Sequence, residues 1–163
     1  MRLEYKRSLE EVVFWEVFYR RRAQRRDLVR RLGVSATTMW RATEVLLGRQ
    51  LITATDAKIT SRGRKPDVLE VNPYLAHLLG LEIDRGRVTA VVTDMVGGLK
   101  GRGSVVCNLT GGLEDTITLC RRVARTALSD AGVGLNQINR VGAGHTGALD
   151  VKSGVCLSWG DAP

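Results

Sequence analysis

Apolar residues return at helical spacing almost as soon as the chain begins. Leu9, Val12, Val13 and Val17 share one face with Glu16, and Phe14 and Phe18 add a second apolar stripe, which predicts a helix from Leu9 to about Arg22. So wide an apolar surface suits either burial in the core of its own module or packing against a second domain or subunit. A second helix is predicted from about Arg25 to Leu32, with Leu28, Val29 and Leu32 inward, and Gly33 is placed to end it in the left-handed conformation. Ser35 can then cap a third helix by accepting a backbone N–H. In that helix Met39, Ala42, Thr43 and Leu46 fall at i, i+3, i+4 and i+7, so they point inward and leave Ala36, Thr37, Trp40 and Arg41 outward.

The period then shortens. Leu51-Ile52-Thr53 and Val68-Leu69-Glu70-Val71 read as strands, and the TDAKITSRGRKPD between them reads as a hairpin with Arg62, Gly63, Arg64 and Lys65 at its tip. Pro66 stiffens the return into the second strand. Beyond the link Asn72-Pro73-Tyr74, strands are predicted at 78–83, 88–93 and 99–106, with turns at Asp84-Arg85-Gly86 and Val96-Gly97-Gly98. An amphipathic helix follows from Leu113 to Ala131, and further strands at Ile138–Gly144 and Gly154–Leu157. The fold class expected is α+β: a winged helix-turn-helix over 1–72 followed by an α/β lobe over 73–163.

Charge divides the chain at the same place. Residues 1–66 hold 16 of the 25 Lys+Arg but only 7 of the 17 Asp+Glu, whereas 67–163 hold nine and ten. A cationic surplus confined to one short module points to a polyanion rather than to a merely solvated face. The helix starting at Ser35 is therefore expected to enter the major groove of double-stranded DNA, with the Arg62–Lys65 tip on the adjacent backbone or minor groove. Arg41 and Thr37 or Thr38 are candidates for base or phosphate contact, with Ser35 at the helix start; Arg25, Arg26, Arg30 and Arg31 are candidates for phosphate neutralisation. Trp40 either stacks or wedges at the groove or folds back on the hairpin. The competing reading is an αα-hairpin with an arginine-rich surface.

Composition excludes other classes. With 44% hydrophobic and 26% charged residues the chain reads as globular and cytoplasmic, and no apolar run approaches a membrane span. Its first residues have acids within the apolar part and no cleavage signature of a secretory signal. Three cysteines, Cys107, Cys120 and Cys156, without a CxxC spacing, argue against a disulfide frame or zinc site.

The order of these features resembles the ROK family (repressors, open reading frames and sugar kinases). The resemblance rests on the helix-turn-helix, the glycine-arginine hairpin ending in proline, the LEVNP link at Leu69–Pro73, the GLEIDRGRVTAVVTD strand pair and the GAGHTGALDVKSGVCL segment. It implies a partial actin-like (ribonuclease H-like) lobe behind the winged helix, and a repressor-type transcriptional regulator linked to carbohydrate metabolism. The family's kinases carry Asp-x-Gly-Gly-Thr in the first hairpin of the lobe. The aligned positions here are Glu82, Ile83, Asp84, Arg85 and Gly86, Thr146 stands for the proline of the glycine-proline-glycine stretch, and Asp161 for a sugar-contacting asparagine. The family's catalytic aspartate, zinc motif and second lobe would lie beyond Pro163, so the chain is read as truncated and not an enzyme, without catalytic residue, cofactor or metal. His145 is read as structural.

Three function classes follow. The first is a sequence-specific DNA-binding regulator, a monomer or weak homodimer with Trp15 and Tyr19 as contacts, that no sugar modulates. The second is a sugar-kinase relative with an added N-terminal domain, and the third a heterodimerisation partner of a full-length relative. Exposed apolar surface on the sheet or helix of the lobe is expected, together with an unpaired strand edge around Val155 to Leu157.

Overall fold

Ser8 starts the first helix: its side chain accepts the Glu11 N–H at 3.2 Å, so one of the orphan donors of the first turn is satisfied. The computed structural model describes residues 7–56, 67–84, 86–108 and 112–158, which fall into two units, Met1–Leu75 and Ala76–Pro163. In the first unit the order is α1 (Leu9–Arg20), β1 (Ala23–Gln24), α2 (Arg25–Leu32), α3 (Ala36–Gly48), β2 (Ile52–Asp56) and β3 (Asp67–Val71). Helix α1 ends short of the expected Arg22 because Arg21 turns to φ 65°, with its guanidinium 5.7 Å from the Phe18 ring. The chain then runs into β1, a two-residue strand too brief to leave a sequence period, which pairs Ala23 with Leu69. Strands β2 and β3 form an antiparallel hairpin from Ile52↔Val71 to Asp56↔Asp67, and the sheet order is β1-β3-β2.

The core of this unit collects Val13 and Val17 from α1, Leu28 from α2, Met39, Ala42 and Leu46 from α3, and Ile52, Leu69 and Val71 from the sheet. The inward residues expected on α3 are all buried. On α1 the second stripe is different: Phe14, Trp15 and Phe18 are half-buried and Tyr19 is 76% exposed, the four rings touching edge-on or stacked at centroid distances of 5.4–6.5 Å.

In the second unit β4 (His77–Asp84), β5 (Arg87–Asp94) and β6 (Leu99–Val106) make an antiparallel meander. Helix α4 (Leu113–Ala131) then crosses one face of the sheet, and β7 (Ile138–His145) returns parallel to β4, giving the order β6-β5-β4-β7. Leu79, Val88, Ala90 and Val92 meet Val123 and Ala127 of α4 in the core. The approach of α4 to β6 is set by two glycines. A Cβ at Gly101 would lie 2.3 Å from the Ala127 carbonyl oxygen, and one at Gly103 would lie 2.2 Å from that of Val123.

At the β5–β6 turn the buried Asp94 carboxylate accepts the N–H groups of Val96 (3.0 Å) and Gly98 (2.7 Å) and pairs with Lys100 at 3.1 Å. Burial alone would push this carboxyl up, but the hydrogen bonds from Gly98, Lys100 and Val96 together hold it below the ordinary aspartate range. The chain ends its described part in a hairpin of β8 (Ala148–Asp150) and β9 (Val155–Ser158). The expected unpaired edge at Val155–Leu157 is thus corrected on one side: the short run after Gly147 folds back as β8, Asp150 bracing the turn by accepting from Lys152 N–H and Ser153 Oγ. Val155 and Leu157 themselves are exposed.

Candidate nucleic-acid interface

The turn between α2 and α3 is built from three residues. Gly33 adopts φ 64°, ψ 26° and returns its N–H to the Val29 carbonyl at 3.0 Å, closing α2 where a side chain would be strained. Ser35, extended at φ −67°, ψ 154°, opens α3: its Oγ accepts the Thr38 N–H at 3.1 Å and shares a hydrogen bond with Thr38 Oγ1 at 2.8 Å.

Two polar clamps then fix the helices. Arg25, the first residue of α2, donates from Nε to Thr43 Oγ1 (2.8 Å) and from its terminal nitrogen to Glu44 Oε1 (2.9 Å). Thr43 is buried, and its hydroxyl hydrogen is directed to the Met39 and Trp40 carbonyls at 3.0 and 2.9 Å. On the other side Glu16 of α1 accepts from Arg20 (3.1 Å) and Arg31 (2.8 Å). The Arg20 hydrogen bond is the largest influence on Glu16, which stays below the ordinary glutamate range despite partial desolvation, with Arg31 adding to the effect.

These contacts sort the expected site residues. Thr37, Trp40 and Arg41 lie together on the outward face of α3; Trp40 is 52% exposed, and Arg41 has no hydrogen-bonding or charged partner among the described residues. Arg30 projects from α2 in the same condition, and among the described residues Arg26 makes only a 3.6 Å pair with its neighbour Asp27. Arg25, by contrast, is placed inside the unit and only 20% exposed: its guanidinium holds α3 instead of projecting from the surface. Ser35 and Thr38 are tied to each other in the cap, and Arg31 is tied to Glu16. Arg62, Gly63, Arg64 and Lys65 lie outside the described residues.

Sequence reading missed Glu44. Four residues after Trp40 it shares the outward face, a carboxylate among candidate DNA contacts, and the Arg25 guanidinium offsets its charge. Counting one further turn along the helix would have found it.

In the second unit the hairpin aligned with the kinase glycine loop carries exposed Glu82 and Asp84, and Thr146 donates to Asp84 Oδ1 at 2.9 Å. Register places His145 beside Ile83. Among the described residues no group of three His, Cys, Asp or Glu is arranged to hold a metal ion, and no helix is long and apolar enough to cross a membrane.

No family model matches the chain, and no curated protein matches it. Among solved structures it is similar to the crystal structure described as "the ROK family transcriptional regulator, homolog of E.coli MLC protein", with a TM-score of 0.57 at 17% identity over 93% of this chain. The fold is ROK-like. The chain spans 39% of that regulator's length. In chain order α1–α3 and the β2–β3 hairpin come ahead of the four-stranded sheet.

Proposed function

We propose that the chain is a sequence-specific DNA-binding transcriptional regulator of the ROK repressor type, whose first unit is a winged helix-turn-helix. The observation that carries the proposal is the outward face of α3: Thr37, Trp40 and Arg41 stand exposed on a helix fixed by the Gly33–Ser35 turn and the Arg25 clamp. At 13 residues α3 is roughly 20 Å long, enough to lie along a major groove. In this reading Arg41 and Thr37 contact bases or phosphate, Trp40 packs its ring at the groove edge, and Arg26 and Arg30 neutralise phosphates. The Arg62–Lys65 segment tracks the neighbouring backbone.

The link to carbohydrate metabolism, a repressing rather than activating role, and the absence of enzymatic activity belong to the same proposal. So does a monomer or weak dimer with Trp15 and Tyr19 at the contact, for which a tight dimer at nanomolar concentration in analytical ultracentrifugation is the refuting result. Selection of bound duplexes from a random library, followed by titration across salt, tests the function. A consensus should emerge, and Arg41→Ala should lose discrimination at one position by about 1–3 kcal/mol. Binding without salt dependence, or no enriched sequence, would refute it.

A further inference from the structure

Helix α4 has two opposite faces. Val123 and Ala127 pack inward, held close to β6 by the missing side chains of Gly101 and Gly103. Outward, Thr118, Arg121, Arg122, Arg125 and Thr126 fall at i, i+3, i+4, i+7 and i+8 and line a shallow groove. All three arginines are exposed, and none of their guanidinium groups has a hydrogen-bonding or charged partner among the described residues.

This cluster is not a by-product of composition. Residues 67–163 carry nine Lys+Arg against ten Asp+Glu, yet three of the nine sit within five consecutive positions of one helix. Arg121 and Arg125, like charges four apart, repel along the helix. The acids of α4 do not relieve them: Glu114 and Asp115 lie in its first turn, and Asp130 accepts the Arg102 N–H at 2.9 Å.

We propose that this face of α4 is a second anion-binding surface and that its ligand is the phosphate backbone of duplex DNA. Guanidinium groups bind phosphate oxygens two at a time. Thr118 adds a hydroxyl donor, whereas Thr126 directs its hydrogen to the Arg122 carbonyl at 3.1 Å. A protein partner would require an apolar or aromatic anchor at the centre of the patch, and this face has none. The inference rests on the DNA-binding reading above and adds a sequence-independent term to it.

The test uses the full chain, fluorescence anisotropy and a labelled 40-base-pair duplex of mixed sequence, comparing wild type with R121Q/R122Q/R125Q. A control variant, R102Q/R140Q/K152Q, removes equal charge elsewhere in the second unit. Loss of three phosphate contacts should reduce the slope of log affinity against log salt by about 2.7, so raising salt from ~50 to ~200 mM should cost the α4 variant about 40-fold less affinity than it costs wild type. The control should keep the wild-type slope, and the sequence consensus should be unchanged in all three. An α4 variant with wild-type slope overturns the proposal while leaving DNA binding intact. An equal fall in the control also overturns it, since net charge alone would then account for the effect. If wild type itself fails to bind DNA, the functional reading beneath the proposal falls as well.

Discussion

Replacing Gly103 by alanine tests the distance between α4 and β6 directly. The added methyl would meet the Val123 carbonyl oxygen at 2.2 Å, the Val123 carbonyl carbon at 3.0 Å and Thr126 Cβ at 2.9 Å. Two of these three atoms are backbone, so no rotamer change clears them and the helix itself must retreat by about 1 Å to restore ordinary van der Waals separation. Retreat loosens the packing of Val123 and Ala127, both buried, on Val88, Ala90 and Val92. Overpacking of this kind costs about 1–3 kcal/mol, and the upper end applies where backbone is the obstacle. For a unit of this size about 3 kcal/mol corresponds to a melting point lowered by roughly 10–25 °C. Differential scanning calorimetry of the full chain reads the change, with Gly142→Ala as comparison. Nothing lies within 4 Å of a Cβ at Gly142, so that variant should melt close to wild type or slightly above it. A Gly103→Ala protein that melts within about 2 °C of wild type would refute the packing argument.

Ser35→Ala removes the cap of α3 and should cost about 1 kcal/mol in urea denaturation, with Ser35→Asn restoring most of it. Arg25→Ala strips Thr43 and Glu44 of their shared donor and should destabilise the first unit by about 1–3 kcal/mol; unchanged stability would show that the clamp is idle. Asp94 has a folded-state pKa held below its unfolded value, so its contribution is complete above the ordinary carboxylate range and is lost as pH falls through that range towards the folded value. Urea midpoints measured from neutral to strongly acidic pH should therefore decline on the acid side, and Asp94→Asn should flatten that decline.

Residues that act on their neighbours in sequence were legible before the structure. Gly33 and Ser35 define the α2–α3 turn through the same two roles that glycine and serine play at any helix end, and both occur as read. The inward face of α3 and the limits of α4 follow from periodicity alone. Contacts between distant segments were not legible. Strand β1 exists because Ala23 and Gln24 find Leu69 and Val68, forty-odd residues later, and two residues cannot announce a period. Arg25 reads as one more cation of a basic run until Thr43 and Glu44 are placed opposite it. Gly101 and Gly103 resemble ordinary weak positions in a strand, and only the crossing of α4 reveals why a side chain is missing there.

The parallel pairing of β7 with β4 also sets an order of events in folding. Strands β4, β5 and β6 and helix α4 follow one another in sequence, so their neighbouring contacts close shorter loops than the return of β7 does. The register of His77 with Ile138 closes the whole of that meander and helix at once. Loop-closure entropy makes such a contact slow to form, and it gains only after the sheet and α4 already offer a template. Docking of β7 is thus the step expected to limit the refolding rate of the second unit. Substitutions in the β5–β6 turn should slow folding, whereas substitutions in β7 that weaken its docked state should act mainly by speeding unfolding.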